Sequence, residues 1–176
     1  MTIGPAGNTS LFQVRPQLWV IETLSCLVVY TTSPLEEDLV VIGEVKVELW
    51  AKSSAPDMDF TAKLVDVHVD GYAQNVSEGI ILARYRNSNE QQSWIAPDAV
   101  HNYSIDLGYN ATVFREGHRI RLEVSSSNFP HFDRNPNTAV SFGQGAQLQK
   151  ATQQVLHDQA HPSQLVLQVA PSVRIP

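Results

Sequence analysis

Hydrophobic and polar residues alternate with a period of two along most of the chain. In VKVELWA, Val45, Val47 and Leu49 point one way and Lys46, Glu48 and Trp50 the other. Successive side chains of an extended strand face opposite sides, so this segment reads as a half-buried strand. RIRLEVS repeats the pattern after a turn at Gly117: Ile120, Leu122 and Val124 form the apolar row and Arg119, Arg121 and Glu123 the polar one. DFTAKLVDVHV (59–69) is apolar on both faces around Leu64 and Val65, which predicts a central strand that meets solvent toward the Asp70-Gly71 turn. Further strands are expected at 26–32, 79–86, 101–107, 153–158 and 164–170, with Pro34, Pro56-Asp57, Pro97-Asp98, Gly108 and Pro162 as punctuation. No segment sustains a helical period over twelve residues; the nearest, QGAQLQKATQQV (144–155), has few apolar anchors. Many short strands between turns predict an all-β sandwich or jelly roll rather than a parallel α/β fold. The Gly/Pro-punctuated first ~17 residues are expected along the surface. Residues 1–24 are accordingly read as an N-terminal extension or linker and 25–176 as one domain.

Composition narrows the function classes. The 176 residues suffice for one domain with a substantial core, and 43% of them are hydrophobic, as in a globular protein. Formal net charge is −6, and the 12 Lys and Arg are dispersed. Nucleic acids and anionic membranes both reward a basic patch, so neither is expected as a partner. No apolar run approaches the ~18 residues that a membrane-spanning helix needs. The opening MTIGPAGNTS lacks the basic and apolar regions of a secretory signal, so a cytoplasmic setting is expected. Cys26 is the single cysteine, which excludes an internal disulfide and a thiolate metal cluster. The composition is compatible with a homo-oligomer.

Candidate chemistry concentrates in GHRIRLEVSSSNFPHFDRNPNT (117–138), where His118, His131, Asp133 and Ser125, Ser126 and Ser127 lie close together. A serine nucleophile usually sits on a strand-to-helix elbow, G-x-S-x-G, and no glycine in this chain starts one. The three serines follow a strand and lead into a loop, where serines bond their own backbone. His131 and Asp133 could form an acid–base pair, but Pro130 and Pro136 bracket them and Asn135 and Asn137 favour turns. Asp66, His68 and Asp70 share a strand face and could hold a divalent metal; a solvated strand end explains them equally simply and is preferred. Asp57 and Asp59 lack the glycine of a calcium loop, and His157 and His161 precede Pro162 in a loop. Trp19, Trp50 and Trp94 could stack on a sugar, although packing is the commoner role. The residues alone therefore indicate a β domain with no self-sufficient active site: no catalytic residues, no metal site and no cofactor.

Four segments in order carry a resemblance: residues 28–71, EGIILARYR (78–86), FREGHRIRLEVSSSNFPHFDRNPNT (114–138) and HPSQLVLQV (161–169). Together they resemble the C-terminal domain of the X-Pro dipeptidyl-peptidase, cocaine esterase and α-amino-acid ester hydrolase family, over about residues 25–170. The resemblance implies a galactose-binding-like jelly-roll β-sandwich. It also implies a non-catalytic role: the family's catalytic Ser, Asp and His belong to an α/β-hydrolase domain, which would be this domain's partner in cis or in trans. The parent would be a serine hydrolase of dipeptidyl-peptidase or acyl-esterase type. Ser127, Asn128, Phe129, Pro130, His131, Phe132, Asp133, Arg134, Asn135 and Asn137 then become candidates for an interface or pocket wall. One departure stands out: where the family often carries an R-x-D-V-L pattern, this chain reads Leu24, Ser25, Cys26, Leu27, Val28. The competing expectation is a freestanding β-sandwich module that binds carbohydrate or another ligand.

Overall fold

The computed structural model describes residues 10–14, 20–24, 27–141, 144–145 and 147–170. Ten strands are described: β1 (Ser10–Val14), β2 (Val20–Leu24), β3 (Leu27–Thr31), β4 (Leu39–Ser53), β5 (Asp59–Val67), β6 (Ala73–Leu82), β7 (His101–Phe114), β8 (Arg119–Ser125), β9 (Gln153–Val155) and β10 (Gln164–Val169). They form two antiparallel sheets. One has the order β1-β10-β4-β7, with β9 also on β4; the other has the order β2-β3-β8-β5-β6. Long β4 spans the first sheet. β10 pairs with its first part and β9 with its end, while β7 runs along its other edge.

The inward rows of the two sheets make the core. Val45, Val47 and Leu49 of β4 meet Phe60, Ala62 and Leu64 of β5 and Ile120, Leu122 and Val124 of β8 in one buried cluster. Each fully buried aliphatic side chain contributes roughly 1.5–3 kcal/mol of transfer free energy. β8 is central, as its alternation predicts, and β5 is buried on both faces along most of its length. The sheets close on each other where β6 approaches β7. A Cβ at Gly79 would lie 2.0 Å from the Asp106 carbonyl oxygen, so only glycine fits there.

Several elements differ from the sequence reading. The segment 1–24, expected as an extension or linker, contains β1, paired with β10, and β2, paired with β3. Each therefore adds a strand to one sheet. GIILARYR is not one strand: β6 stops at Leu82 and Ala83–Tyr85 forms a short 3-10 turn. The Ala83 amide donates to the Met58 carbonyl at 2.8 Å, which turns the chain and sends Arg84 into the interior. Among the described residues of the weakly periodic 144–155 segment, only 153–155 is regular, and it is a strand.

Candidate functional site

The loop that follows β8 has two halves with opposite characters. Its second half is fastened to a buried charge cluster at the start of β5. Asp57 and Asp59 are 0% and 5% exposed, in a segment whose apolar neighbours Met58 and Phe60 belong to the core. Burying an unpaired carboxylate is prohibitive, so a cation is required. Arg84, 2% exposed, supplies it. Its Nε donates to Asp57 Oδ2 at 2.8 Å and its Nη2 pairs with the same oxygen. Its Nη1 donates to the Val140 carbonyl at 3.0 Å, and its guanidinium lies 4.8 Å from the Trp94 ring centre. Asn135 then bridges the two carboxylates, its Nδ2 donating to Asp57 Oδ2 at 2.8 Å and to Asp59 Oδ1 at 2.7 Å. The Asn137 amide donates to Asn135 Oδ1 at 2.8 Å, with Asn137 in the left-handed region at φ 63°. Asparagine tolerates that conformation better than most side chains.

Burial raises the Asp59 carboxyl to about 6. The Asn135 hydrogen bond opposes the rise, the Asp57 charge adds to it and Arg84 opposes it. Beside the cluster opens a cavity of about 250 Å³, lined among others by Asp59, Leu82, Arg84, Asp133, Arg134 and Asn135. Among the described residues its wall carries both signs of charge, and no hydroxyl or thiol there is bonded to a base.

The first half of the loop crosses β6 and faces outward. Asn128 Nδ2 donates to Glu78 Oε2 at 2.9 Å, and His131 Nε2 lies 3.5 Å from Glu78 Oε1. Phe129 is 65% exposed; Ser127, Pro130, His131, Asp133 and Arg134 are exposed as well, and Phe132 is half-buried. His131 therefore pairs with Glu78 rather than with Asp133, which removes the acid–base pair considered from the sequence. Asp133 and Arg134 form no ion pair with each other among the described residues. The Ser127 amide donates to Ser125 Oγ at 3.3 Å, the local backbone bonding expected of these serines. Among the described residues no histidine nitrogen is bonded to a serine hydroxyl.

The other sequence candidates separate. His157 Nε2 and the Tyr30 hydroxyl are 2.9 Å apart, whereas His161 pairs with Asp158 at 3.0 Å. Trp50 packs edge-on against His161, at 5.2 Å between ring centres, so Trp50 and Trp94 have separate partners. Trp19 and Cys26 lie outside the described residues. Asp70 leaves its proposed metal set, because its Oδ1 accepts from the Tyr72 amide at 2.9 Å. Asp66 and His68 are joined instead by His118, whose Nδ1 lies 2.9 Å from Asp66 Oδ1.

Sequence reasoning missed Arg84 and Glu78. A signal for Arg84 was present: two carboxylates in an apolar strand need a cation, and Arg84 directly follows the apolar run IILA.

The family model for the X-Pro dipeptidyl-peptidase C-terminal non-catalytic domain matches residues 7–166. The cocaine esterase of Rhodococcus sp. (strain MB1 Bresler) is 39% identical over 142 residues, covering 80% of this chain and 25% of that protein. The chain thus spans about a quarter of the length of the curated relatives it matches. Among solved structures, an aminopeptidase from the marine sediment archaeon Thaumarchaeota archaeon superimposes with a TM-score of 0.80 at 28% identity, covering 93% of this chain and 33% of that one. An α-amino acid ester hydrolase superimposes with a TM-score of 0.78 at 26% identity, covering 95% and 33%. An all-β sandwich with this likeness, and without a nucleophile–base pair among its described residues, belongs to the X-Pro dipeptidyl-peptidase C-terminal non-catalytic domain family.

Proposed function

We infer that this domain packs in cis on a larger catalytic domain of α/β-hydrolase type, and that the exposed half of the loop, 127–134, forms part of the contact. The observation that carries the reading is Phe129, a large apolar side chain 65% exposed on a loop whose far half is fastened by Asn135. An aromatic side chain held out on a fastened loop suits the anchor of a contact site. The quarter-length coverage of the relatives supports a companion domain. The names of the relatives support a parent that cleaves acyl esters or X-Pro peptides. The interleaved strand orders of the two sheets are in keeping with a galactose-binding-like jelly roll.

Two mutations test the contact. Leu122→Ala truncates the core and is expected to cost about 2–5 kcal/mol in urea unfolding of the isolated domain. Phe129→Ala is expected to cost about 0.5 kcal/mol or less there, yet to weaken binding to a hydrolase domain supplied in trans, measured by calorimetry. If Phe129→Ala destabilises the isolated domain as much as Leu122→Ala does, the loop is core packing and the contact is elsewhere. The isolated domain is also expected to leave p-nitrophenyl esters and X-Pro anilides intact, because its sequence holds no nucleophile elbow and no nucleophile–base pair occurs among the described residues.

A further inference from the structure

We propose that Asp66, His68 and His118 form a binding site for a divalent transition metal, Zn²⁺ being the natural occupant of such a donor set. The site follows from strand register. β5 and β8 are antiparallel, and their last paired residues are Val67 and Arg119. One step further, His68 stands across from His118, and the two rings stack at 4.3 Å with 25° between their planes. Asp66 lies two residues before His68 on the same strand face, so all three side chains converge at one end of the sheet.

Donor spacing suits a small cation. Asp66 Oδ1 is 2.9 Å from His118 Nδ1, Asp66 Oδ2 is 3.6 Å from His68 Nε2, and the three donor atoms all lie within 4.8 Å of one another. Tetrahedral zinc with bonds of about 2.0 Å separates neighbouring donors by about 3.3 Å, so small side-chain rotations close the set. Two imidazole nitrogens and one carboxylate oxygen form a borderline donor set that first-row divalent metals prefer over calcium or magnesium.

Charge supplies a second, independent argument. The Asp66 side chain is only 8% exposed, and among the described residues its ion-pair partners are the two imidazoles, with no Lys or Arg. Such a carboxylate has no permanent cation beside it, and a bound metal would supply one.

The backbone holds the ligands in place beforehand. The His68 amide donates to the Tyr72 carbonyl at 2.8 Å, and the His118 carbonyl accepts from the Leu35 amide at 2.8 Å. Access exists on the His68 side, whose side chain is 31% exposed, next to the exposed Val69 and Tyr72. A bound metal would clip the end of β5 to the turn before β8. This site is on a different part of the sheet from the loop at 127–134 and does not depend on the role proposed for that loop.

Zinc titration of the chelator-stripped domain, followed by calorimetry against a competing chelator, tests the site. One Zn²⁺ per chain is expected. His68→Ala and His118→Ala should each weaken binding by about 100-fold or more, beyond the 10–100-fold typical of losing only a supporting partner. His161→Ala, in a separate Asp-His pair, should leave it unchanged. Because His118→Ala could disturb folding, nitrogen NMR of the wild-type domain gives a second readout: His68 Nε2 and His118 Nδ1 should shift together on zinc addition. Binding that survives His68→Ala unweakened, or zinc that shifts other imidazoles and not these two, overturns the proposal.

Discussion

Strand β5 buries carboxylates at both ends, and the two ends are held by different chemistry. At its start, Asp57 and Asp59 face Arg84, whose guanidinium is always charged, and Asn135, which bridges them. At its end, Asp66 faces His118 and His68, whose charge is conditional on a proton. The first arrangement is closed: the cation, both carboxylates and the bridging amide are bonded to one another, and the loop after β8 is locked to them. The second is open on one side. A permanent cation makes a structural fastening, whereas a pair of imidazoles offers the donor set on which the proposed metal site rests.

The largest expected effect concerns the closed end. Arg84→Met would remove the guanidinium and leave Asp57 buried with only neutral donors, the residue 84 amide and Asn135 Nδ2. A cost of about 3–5 kcal/mol is expected in urea unfolding, as for other buried pairs broken on one side. A much smaller cost would mean that water reaches Asp57, and that the two ends of β5 are more alike than the distances indicate.

Next is the pH response of Asp59. Its folded value, about 6, lies above the ordinary 3.8 of an unfolded aspartate. Folding therefore takes up a proton between about pH 3.8 and 6. This contribution is fully present below the lower value and is lost as pH rises through the upper one. A rise of about two units corresponds to about 3 kcal/mol. Asp59→Asn can still accept from Asn135 and carries no charge. It is expected to stabilise the domain by about 2–3 kcal/mol at pH 7, with the difference vanishing toward pH 3.5. Stability curves that stay parallel across that range would exclude a buried, charge-strained Asp59.

The smallest effect is expected at the open end. Without metal, His68→Ala should change stability by only about 0.5–1 kcal/mol, since the ring is a third exposed and its approach to Asp66 is long. With zinc present, the same substitution should remove a gain in melting temperature that the wild type shows. The contrast between the two conditions separates a ligand from a packing residue.

Much of the scaffold was legible in the sequence because alternation is a property of each strand's own backbone. Ile120, Leu122 and Val124 could be assigned to the core of a central strand from RIRLEVS alone, and all three are buried in β8. β1 and β2 were not legible: each is five residues long, and among Gly and Pro residues so short a run has no clear period. The 3-10 turn that ends β6 was hidden for a related reason. GIILARYR reads as one apolar run, and it is the Ala83 amide bonding to the Met58 carbonyl that breaks it.

By itself, the sequence determined an all-β sandwich, its principal inward rows and the absence of a nucleophile elbow. Each of these is set by neighbours along the chain. Only the tertiary structure decided which charges meet. It gave His131 to Glu78 rather than to Asp133, Asp57 to Arg84, and Asp66 to His118 across 52 residues of sequence. Those pairings depend on cross-strand register and on how a loop folds over a sheet. Both are fixed by packing between distant segments, and a period of two along one strand carries no information about the strand beside it.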